Sequence, residues 1–147
     1  MDYFSAFEIS GSGLAVEKLR ADLVSLNIAN ANSTASKSSE VYRPLKLYTG
    51  AGTKTTSPLD FQSIYNQNAK LGIEVISIER DSTEPKSIYE PSNPLADKNG
   101  FVYRPNINPA SEMIEMMSAL RAYQANIKAI SAAKVMAEEA IRISSGR

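Results

Sequence analysis

Apolar residues recur at alternating steps of three and four along the last third of the chain. This spacing puts the side chains on one stripe of an α-helix, and a stripe that narrow needs a partner. Asn108-Pro109 predicts where the helix begins, because asparagine is a preferred N-cap and proline is tolerated at the first helical position. The repeat consists of Met113, Met116, Leu120, Tyr123, Ile127, Ile130, Lys134, Ala137 and Ile141. We therefore predict a long C-terminal helix over residues 108–147.

A second repeat of the same spacing lies near the start of the chain. It consists of Ile9, Ser12, Val16, Leu19, Leu23, Leu26 and Asn30. We predict a helix here, with Ser12 as its N-cap between two glycines that loosen the entry. The asparagine-rich run at residues 27–32 is expected to end the helix and open a Ser/Thr-rich loop.

All seven prolines lie between Pro44 and Pro109, and the patterns of the middle of the chain are those of short strands. We predict strands near residues 42–48, 71–78, 86–90 and 101–104, with a polar turn at residues 50–58. Asn99-Gly100 indicates a type I′ turn before the last strand. The fold class is thus α+β, with two long terminal helices forming a coiled-coil-like pair and a small β-rich middle domain. The predicted division is 1–32, 33–107 and 108–147.

Composition removes several classes of function. Lys+Arg and Asp+Glu are both 16, which does not favour nucleic acid as a partner. Because cysteine and histidine are absent, disulfides and Cys or His metal sites are excluded. The first residues do not form a Sec signal peptide, and no apolar run approaches the roughly 20 residues of a membrane span. We expect no cofactor, no metal and no small-molecule substrate.

Catalytic patterns are also weak, so we predict that the chain is not an enzyme. Gly11-Ser12-Gly13 lacks the third glycine and the preceding strand of a dinucleotide fingerprint. Carboxylates in the middle region could form an acid/base pair, but exposed loop charges are the default for such residues. They are Asp60, Glu74, Glu79, Asp81, Glu84, Glu90 and Asp97.

The two helical stripes allow more than one interpretation. They can pack against each other and the small sheet as an ordinary core. Their heptad spacing, and the polar Asn30 and Lys134 within them, instead favour packing between molecules. One alternative is a soluble helical-hairpin adaptor that binds a peptide partner at its sheet edge. Another is a wall-acting hydrolase that uses the middle carboxylates.

Several runs resemble a known family. Residues 9–14 (Ile-Ser-Gly-Ser-Gly-Leu) and 27–32 (Asn-Ile-Ala-Asn-Ala-Asn) are similar to the N-terminal signature of bacterial flagellar rod and hook proteins. The run 88–102, containing Tyr-Glu-Pro-Ser-Asn-Pro-Leu-Ala-Asp-Lys-Asn-Gly, is more specific, as are Pro-Asn-Ile-Asn-Pro at 105–109 and residues 118–126. Together they resemble the proximal-rod proteins of the flagellar basal body, the FlgC type.

The resemblance implies a structural subunit and not an enzyme. Its terminal helices would pair into an inner coiled-coil tube, with the middle domain as an outer layer. The chain would leave the cytoplasm through the flagellar type III export apparatus, without a cleaved signal peptide. It would join other copies of itself and other rod proteins in the periplasmic rod of the basal body, where its helices gain partners as they order.

From the stripes and this resemblance we predict a set of subunit-interface residues. Asn27 and Asn30 are expected to terminate the first helix and to fix the register of its neighbour. The set is Leu19, Leu23, Leu26, Asn27, Ile28, Asn30, Met116, Leu120, Tyr123, Ile127 and Ile130.

Overall fold

The computed structural model of the chain describes residues 3–51 and 72–146. Helix α1 spans Tyr3–Asn30, and a short 3-10 helix follows at Ser38–Glu40. The strands are β1 (Leu45–Ala51), β2 (Ile73–Arg80), β3 (Lys86–Tyr89) and β4 (Phe101–Arg104), and helix α2 spans Pro109–Ser145. A helix at each end and short strands between them confirm the predicted α+β class.

Helix α1 passes through its two early glycines without a break, so the prediction of Ser12 as an N-cap was wrong. The Ser12 hydroxyl donates to the carbonyl of Ile9 at 2.8 Å, which is the local bond that a serine inside a helix makes. It also accepts the backbone N–H of Ile73 at 3.1 Å. The helix ends at Asn30, within the predicted asparagine-rich run. The Asn30 side chain donates back to the Leu26 carbonyl at 2.8 Å.

Helix α2 begins where the sequence predicted. The Asn108 side-chain oxygen accepts the N–H of Ala110 at 3.0 Å, which confirms Asn108 as the N-cap. Glu112 lies in the first turn and Arg142 in the last turn, and both charges suit the helix dipole at their ends. With 37 residues the helix is about 55 Å long. Neither helix, in the part of the chain described, is long and apolar enough to cross a membrane.

The strands form two small sheets. Strand β1 pairs with β2, and β3 pairs antiparallel with β4 so that Ile88 lies opposite Val102. Strand β1 begins directly after Pro44 and not at Tyr42, since proline has no N–H for a ladder. The predicted beginning of β2 at Leu71 and most of the predicted turn at 50–58 lie outside the described residues.

The turn before β4 differs from the predicted type I′ turn. A type I′ turn needs a positive φ at both central residues, whereas only Gly100 has one here, at 81°. The Gly100 N–H donates to the carbonyl of Asp97 at 3.0 Å, so the turn starts at Asp97, one residue earlier than predicted. The Asp97 carboxylate fixes it by accepting the N–H groups of Asn99 at 2.8 Å and Phe101 at 2.9 Å. This aspartate overrides the Asn-Gly preference.

The chain divides into two compact units. The first comprises Met1–Lys18, Thr49–Ile76 and Leu120–Arg147, and the second comprises Leu19–Tyr48 and Ser77–Ala119. Val16 and Ala133 are buried in the first unit. The second unit buries Leu23, Val24, Val41, Ile107 and the fully enclosed Val102. The division predicted from the sequence, into residues 1–32, 33–107 and 108–147, differs from these two units and stays a prediction.

Candidate subunit interface

Helices α1 and α2 contact each other through polar side chains in the second unit. Nη1 of Arg20 donates to Oε1 of Glu115 at 3.2 Å, and Nδ2 of Asn27 donates to Oε2 of Glu112 at 3.1 Å. As residue numbers rise along α1 they fall along α2, so this part of the pair runs antiparallel. The contact joins the C-terminal half of α1 to the first turns of α2.

Asn27 is the best-connected side chain of that contact, and it is only 3% exposed. Its Nδ2 also donates to the carbonyl of Leu45 at 3.0 Å. Its Oδ1 accepts the N–H of Leu45 and the hydroxyl of Tyr42, both at 2.9 Å. Asn27 lies inside α1, so the prediction that it terminates the helix was wrong. It ties α1 to the start of β1 and to α2 within one subunit.

Burial of the Tyr42 hydroxyl raises its pKa, and the nearby carboxylate of Glu112 raises it further. The phenol therefore remains protonated at physiological pH and can donate its hydrogen bond to Asn27. The amide of Asn27, in turn, is the donor to Glu112. This order of donors and acceptors leaves every hydrogen-bonding group of Asn27 satisfied, as a buried amide requires.

In the first unit the two helices approach closely at a glycine. A Cβ atom placed on Gly13 would lie 2.8 Å from Nδ2 of Asn126. That distance is shorter than van der Waals contact, so only glycine fits without a shift of Asn126. Gly13 is thus needed inside the subunit, for packing and not for a helix entry.

The covered face of α2 also follows alternating steps of three and four, but its members differ from the predicted stripe. Ala119 and Ala133 are buried, and the others are half-buried. The face consists of Met116, Ala119, Tyr123, Asn126, Ile130, Ala133 and Ala137. The sequence prediction followed the larger apolar residues, whereas small residues occupy alternate positions of the face that is covered. Alanine at the same spacing was the available signal.

The predicted interface residues fall into three groups. Leu23 and Asn27 are buried within the subunit. Leu26, Leu120 and Ile127 are exposed, Leu120 by 47% and Ile127 by 43%. The remaining residues are half-buried: Leu19, Ile28, Asn30, Met116, Tyr123 and Ile130. The predicted stripe therefore crosses from the covered face of α2 onto its exposed face.

The exposed face of α2 carries more apolar residues than the prediction included. Met113, Met117, Leu120 and Ile127 lie along it at steps of four, three and seven, and Val135 continues it. We call this surface the outer face of α2. An exposed apolar stripe of this length is typical of a surface that another protein covers.

Two ion pairs join strands β1 and β4 to the carboxylates that directly follow β2 and β3. Nζ of Lys46 lies 2.8 Å from Oδ2 of Asp81, and Nη2 of Arg104 lies 2.7 Å from Oε1 of Glu90. The hydrogen bond from Lys46 and the two from Thr83 lower the pKa of Asp81 from 3.8 to about 2. The same bond to Asp81 raises the pKa of Lys46. Asp81 is therefore an ionised structural partner, because a general acid needs a pKa nearer neutrality.

The second unit contains a cavity of about 400 Å³ beside Asn27, lined by both polar and apolar side chains, among them Leu45, Lys46 and Glu112. Among the described residues, no three acidic side chains cluster as a metal ion would require. Lys46 and Glu112 are also engaged in bonds to Asp81 and Asn27. The cavity is therefore a gap between elements whose lining charges already have partners.

Comparison with known proteins points to one family. Residues 98–143, which include most of α2, match the family described as "Flagellar basal body rod FlgEFG protein C-terminal". The chain is 32% identical to the flagellar basal-body rod protein FlgC of Bacillus subtilis, over 97% of this chain and 99% of that protein. It is 35% identical to FlgC of Salmonella typhimurium, over 92% and 93%.

A third relative, FlgC of Borreliella burgdorferi, is 34% identical over 99% of this chain and 100% of its own length. Matches of this extent cover both helices and the strands between them. They include the run 88–102, whose tight turn at Asp97 and Gly100 the structure explains. The chain belongs to the FlgC family of flagellar basal-body rod proteins.

Proposed function

We propose that the chain is a structural subunit of the proximal rod and polymerises through its terminal helices into the torque-transmitting drive shaft. The observation that carries this proposal is the outer face of α2, where Leu120 and Ile127 stay nearly half exposed in the single chain. The FlgC relatives are named as basal-body rod proteins, and none of the names above is that of an enzyme. We therefore place the chain in the flagellar basal body.

The apolar surface supports assembly energetically. Among the described residues, large apolar side chains that are exposed outnumber those that are buried. Fully burying one Leu, Ile or Met side chain stabilises a protein by roughly 1.5–3 kcal/mol, so covering a half-exposed one contributes about 1 kcal/mol. Covering the outer face of α2 along its length thus contributes several kcal/mol per subunit. That gain offsets the loss of freedom on association.

In the assembly, α1 and α2 form a coiled-coil-like pair that lines the inside of the shaft, and the strands form its outer layer. Leu26, Leu120 and Ile127 contact neighbouring subunits. The half-buried interface residues, such as Leu19 and Tyr123, contact their own subunit on one side and a neighbouring subunit on the other. Leu23 and Asn27 hold the helices in position within each subunit. The helices reach full order as they gain these partners.

The subunit's partners are other copies of itself and other rod proteins. It passes through the flagellar type III export apparatus and joins the rod in the periplasm without cleavage of a signal peptide. The adaptor alternative requires the stripes to be satisfied within one chain. The exposed Leu120 and Ile127, and relatives named as rod proteins, do not favour it.

A charge on the outer face of α2 tests the proposal. Leu120→Asp places a carboxylate in the seam between subunits, and an unpaired buried charge is strongly destabilising. In a flagellated bacterium that lacks its own proximal-rod protein, we expect the unchanged chain to restore swimming. Leu120→Asp should restore neither swimming nor rods, although circular dichroism of the purified variant stays unchanged.

Ser118→Asp is the matched control, because Ser118 is exposed on the same helix but off both faces. It should leave swimming intact. Normal swimming with Leu120→Asp would contradict assembly through this face. Equal loss with Ser118→Asp would indicate a general sensitivity of α2 to charge.

A further inference from the structure

Gly11 makes no packing contact among the described residues that would require a glycine. It lies inside α1, and a Cβ placed on it would meet nothing within 4 Å among the described residues. Glycine in a helix interior is less favourable than alanine, because it loses more backbone freedom on folding. Gly13, two residues later, has a contact that excludes a Cβ. Among the described residues, no contact accounts for the glycine at position 11.

Gly11 is half-buried and lies on a face of α1 whose other members are exposed among the described residues. Glu8, Ala15 and Lys18 follow the same helical spacing as Gly11, and all three are exposed. We call these four residues the outer face of α1. Gly11 and Ala15 have small side chains, so the helix surface between the charged Glu8 and Lys18 is shallow. Another helix can therefore approach closely there.

The charges on the two outer faces match in order and spacing. Glu8 and Lys18 are ten residues apart on α1. Lys128 and Glu138 are two exposed residues that also lie on the outer face of α2, and they too are ten residues apart. Both pairs therefore span about 15 Å along their helices. Glu8, Lys18 and Lys128 make no ion pair among the described residues, and Glu138 has only an exposed 3.7 Å contact with Lys134. Exposed pairs of that kind are weak and easily exchanged.

We propose that the outer face of α2 in one copy packs, in parallel, on the outer face of α1 in a second copy. Glu8 then faces Lys128 and Lys18 faces Glu138, whereas antiparallel packing would oppose like charges. The same register places Gly11 opposite Ser131, with the exposed Ile127 and Val135 on either side. This inference rests on the proposed function and names the contact through which the subunits join.

The contact uses two different surfaces of the same chain. Each copy offers an outer face of α2 to one neighbour and an outer face of α1 to another. Contacts of this head-to-tail kind continue without closing unless the rotation between copies returns to the start. The proposed contact therefore extends a helical shaft.

Cysteine cross-linking tests the register, since the chain has no cysteine of its own. Ala15→Cys and Val135→Cys face each other in the proposed packing. The two variants are produced together in the bacterium that lacks its own proximal-rod protein. Rods assembled from this mixture should give a cross-linked dimer on oxidation. Rods of either variant alone should not. Ala15→Cys mixed with Ala125→Cys is the control, because Ala125 is exposed on α2 but lies off the outer face.

A charge exchange tests the pairing independently. Lys128→Glu should reduce the number of assembled rods, and Glu8→Lys combined with Lys128→Glu should restore it. Gly11→Leu should reduce assembly by about tenfold or more while the helix content of the monomer is kept, because the added side chain separates the two helices. Normal assembly with Gly11→Leu, or a double variant no better than the single one, would overturn the proposed contact.

The two proposals fail differently. If the unchanged chain restores rods but residues 15 and 135 do not cross-link, only the register proposed here is wrong. If the unchanged chain restores no rods, the proposed function fails and this contact fails with it.

Discussion

Replacing Asn27 by alanine should destabilise the second unit more than any other single asparagine change in α1. The side chain is 3% exposed and makes four hydrogen bonds, to both backbone groups of Leu45, to Tyr42 and to Glu112. Asn27→Ala removes all four at once. The start of β1 and the first turns of α2 both lose their link to α1.

The size of the effect follows from these bonds. Each contributes about 1 kcal/mol net, giving roughly 4 kcal/mol in total. Alanine is the better helix former by about 0.6 kcal/mol, which offsets part of the loss. Water from the adjacent cavity can satisfy some of the freed groups and recovers about 1 kcal/mol more. We therefore expect the free energy of unfolding to fall by about 2–3 kcal/mol.

Urea unfolding of the purified full-length chain, followed by circular dichroism, measures this change. Asn30→Ala is the matched control, since Asn30 lies three residues later and its side chain makes one local bond to Leu26. It should cost less than about 1 kcal/mol. The reasoning would be refuted if Asn27→Ala lowered the free energy of unfolding no more than Asn30→Ala does.

Two further changes test the charges and the packing. Asp81 has a pKa of about 2 in the folded chain and 3.8 ordinarily, so its stabilisation is present above pH 4 and is lost as the pH falls towards 2. Asp81→Asn should lower the free energy of unfolding by only about 1 kcal/mol at pH 7, because the partner Lys46 is largely exposed. It should also flatten the fall in stability between pH 4 and 2, and an unchanged pH profile in urea titrations would exclude Asp81 as the stabilising partner. Ala133→Leu should lower the free energy of unfolding by about 1–3 kcal/mol, measured by thermal unfolding, because the larger side chain overfills a buried position. Ala132→Leu, at the exposed neighbouring position, should lower it by less than about 0.5 kcal/mol. Equal losses at the two positions would contradict the assignment of the covered face.

The sequence was most informative where one residue decides a local structure. Asn108 and Pro109 correctly predicted the start of α2, because an N-cap side chain and a proline ring both act within a single helical turn. The strands β3 and β4 were predicted within a residue. Predictions failed where a side chain makes a bond that the local pattern does not show. Ser12 bonds to a strand residue that is 61 positions away. Asp97 bonds to backbone N–H groups two and four residues later, and so changes the turn expected from Asn99-Gly100.

The helical stripes show the same limit. A heptad pattern gives the spacing of a seam but not its rotation, because neighbouring rows of a helix differ by one residue step. Large residues drew the prediction to Leu120 and Ile127, whereas Ala119 and Ala133 are the residues covered within the chain. Both rows carry the repeat. One row is covered within the chain and the other is exposed, and it is the exposed row that we propose contacts another subunit.

The exposure of Leu120 before and after assembly tests the central claim most directly. Leu120→Cys provides the chain's one thiol, and its rate of reaction with a maleimide can be compared in the purified monomer and in isolated basal bodies. Lys98→Cys, on the exposed loop before β4, is the reference position. We predict that position 120 reacts readily in the monomer and is protected in the rod, while position 98 changes little. Equal reactivity of position 120 in both states would contradict assembly through the outer face of α2.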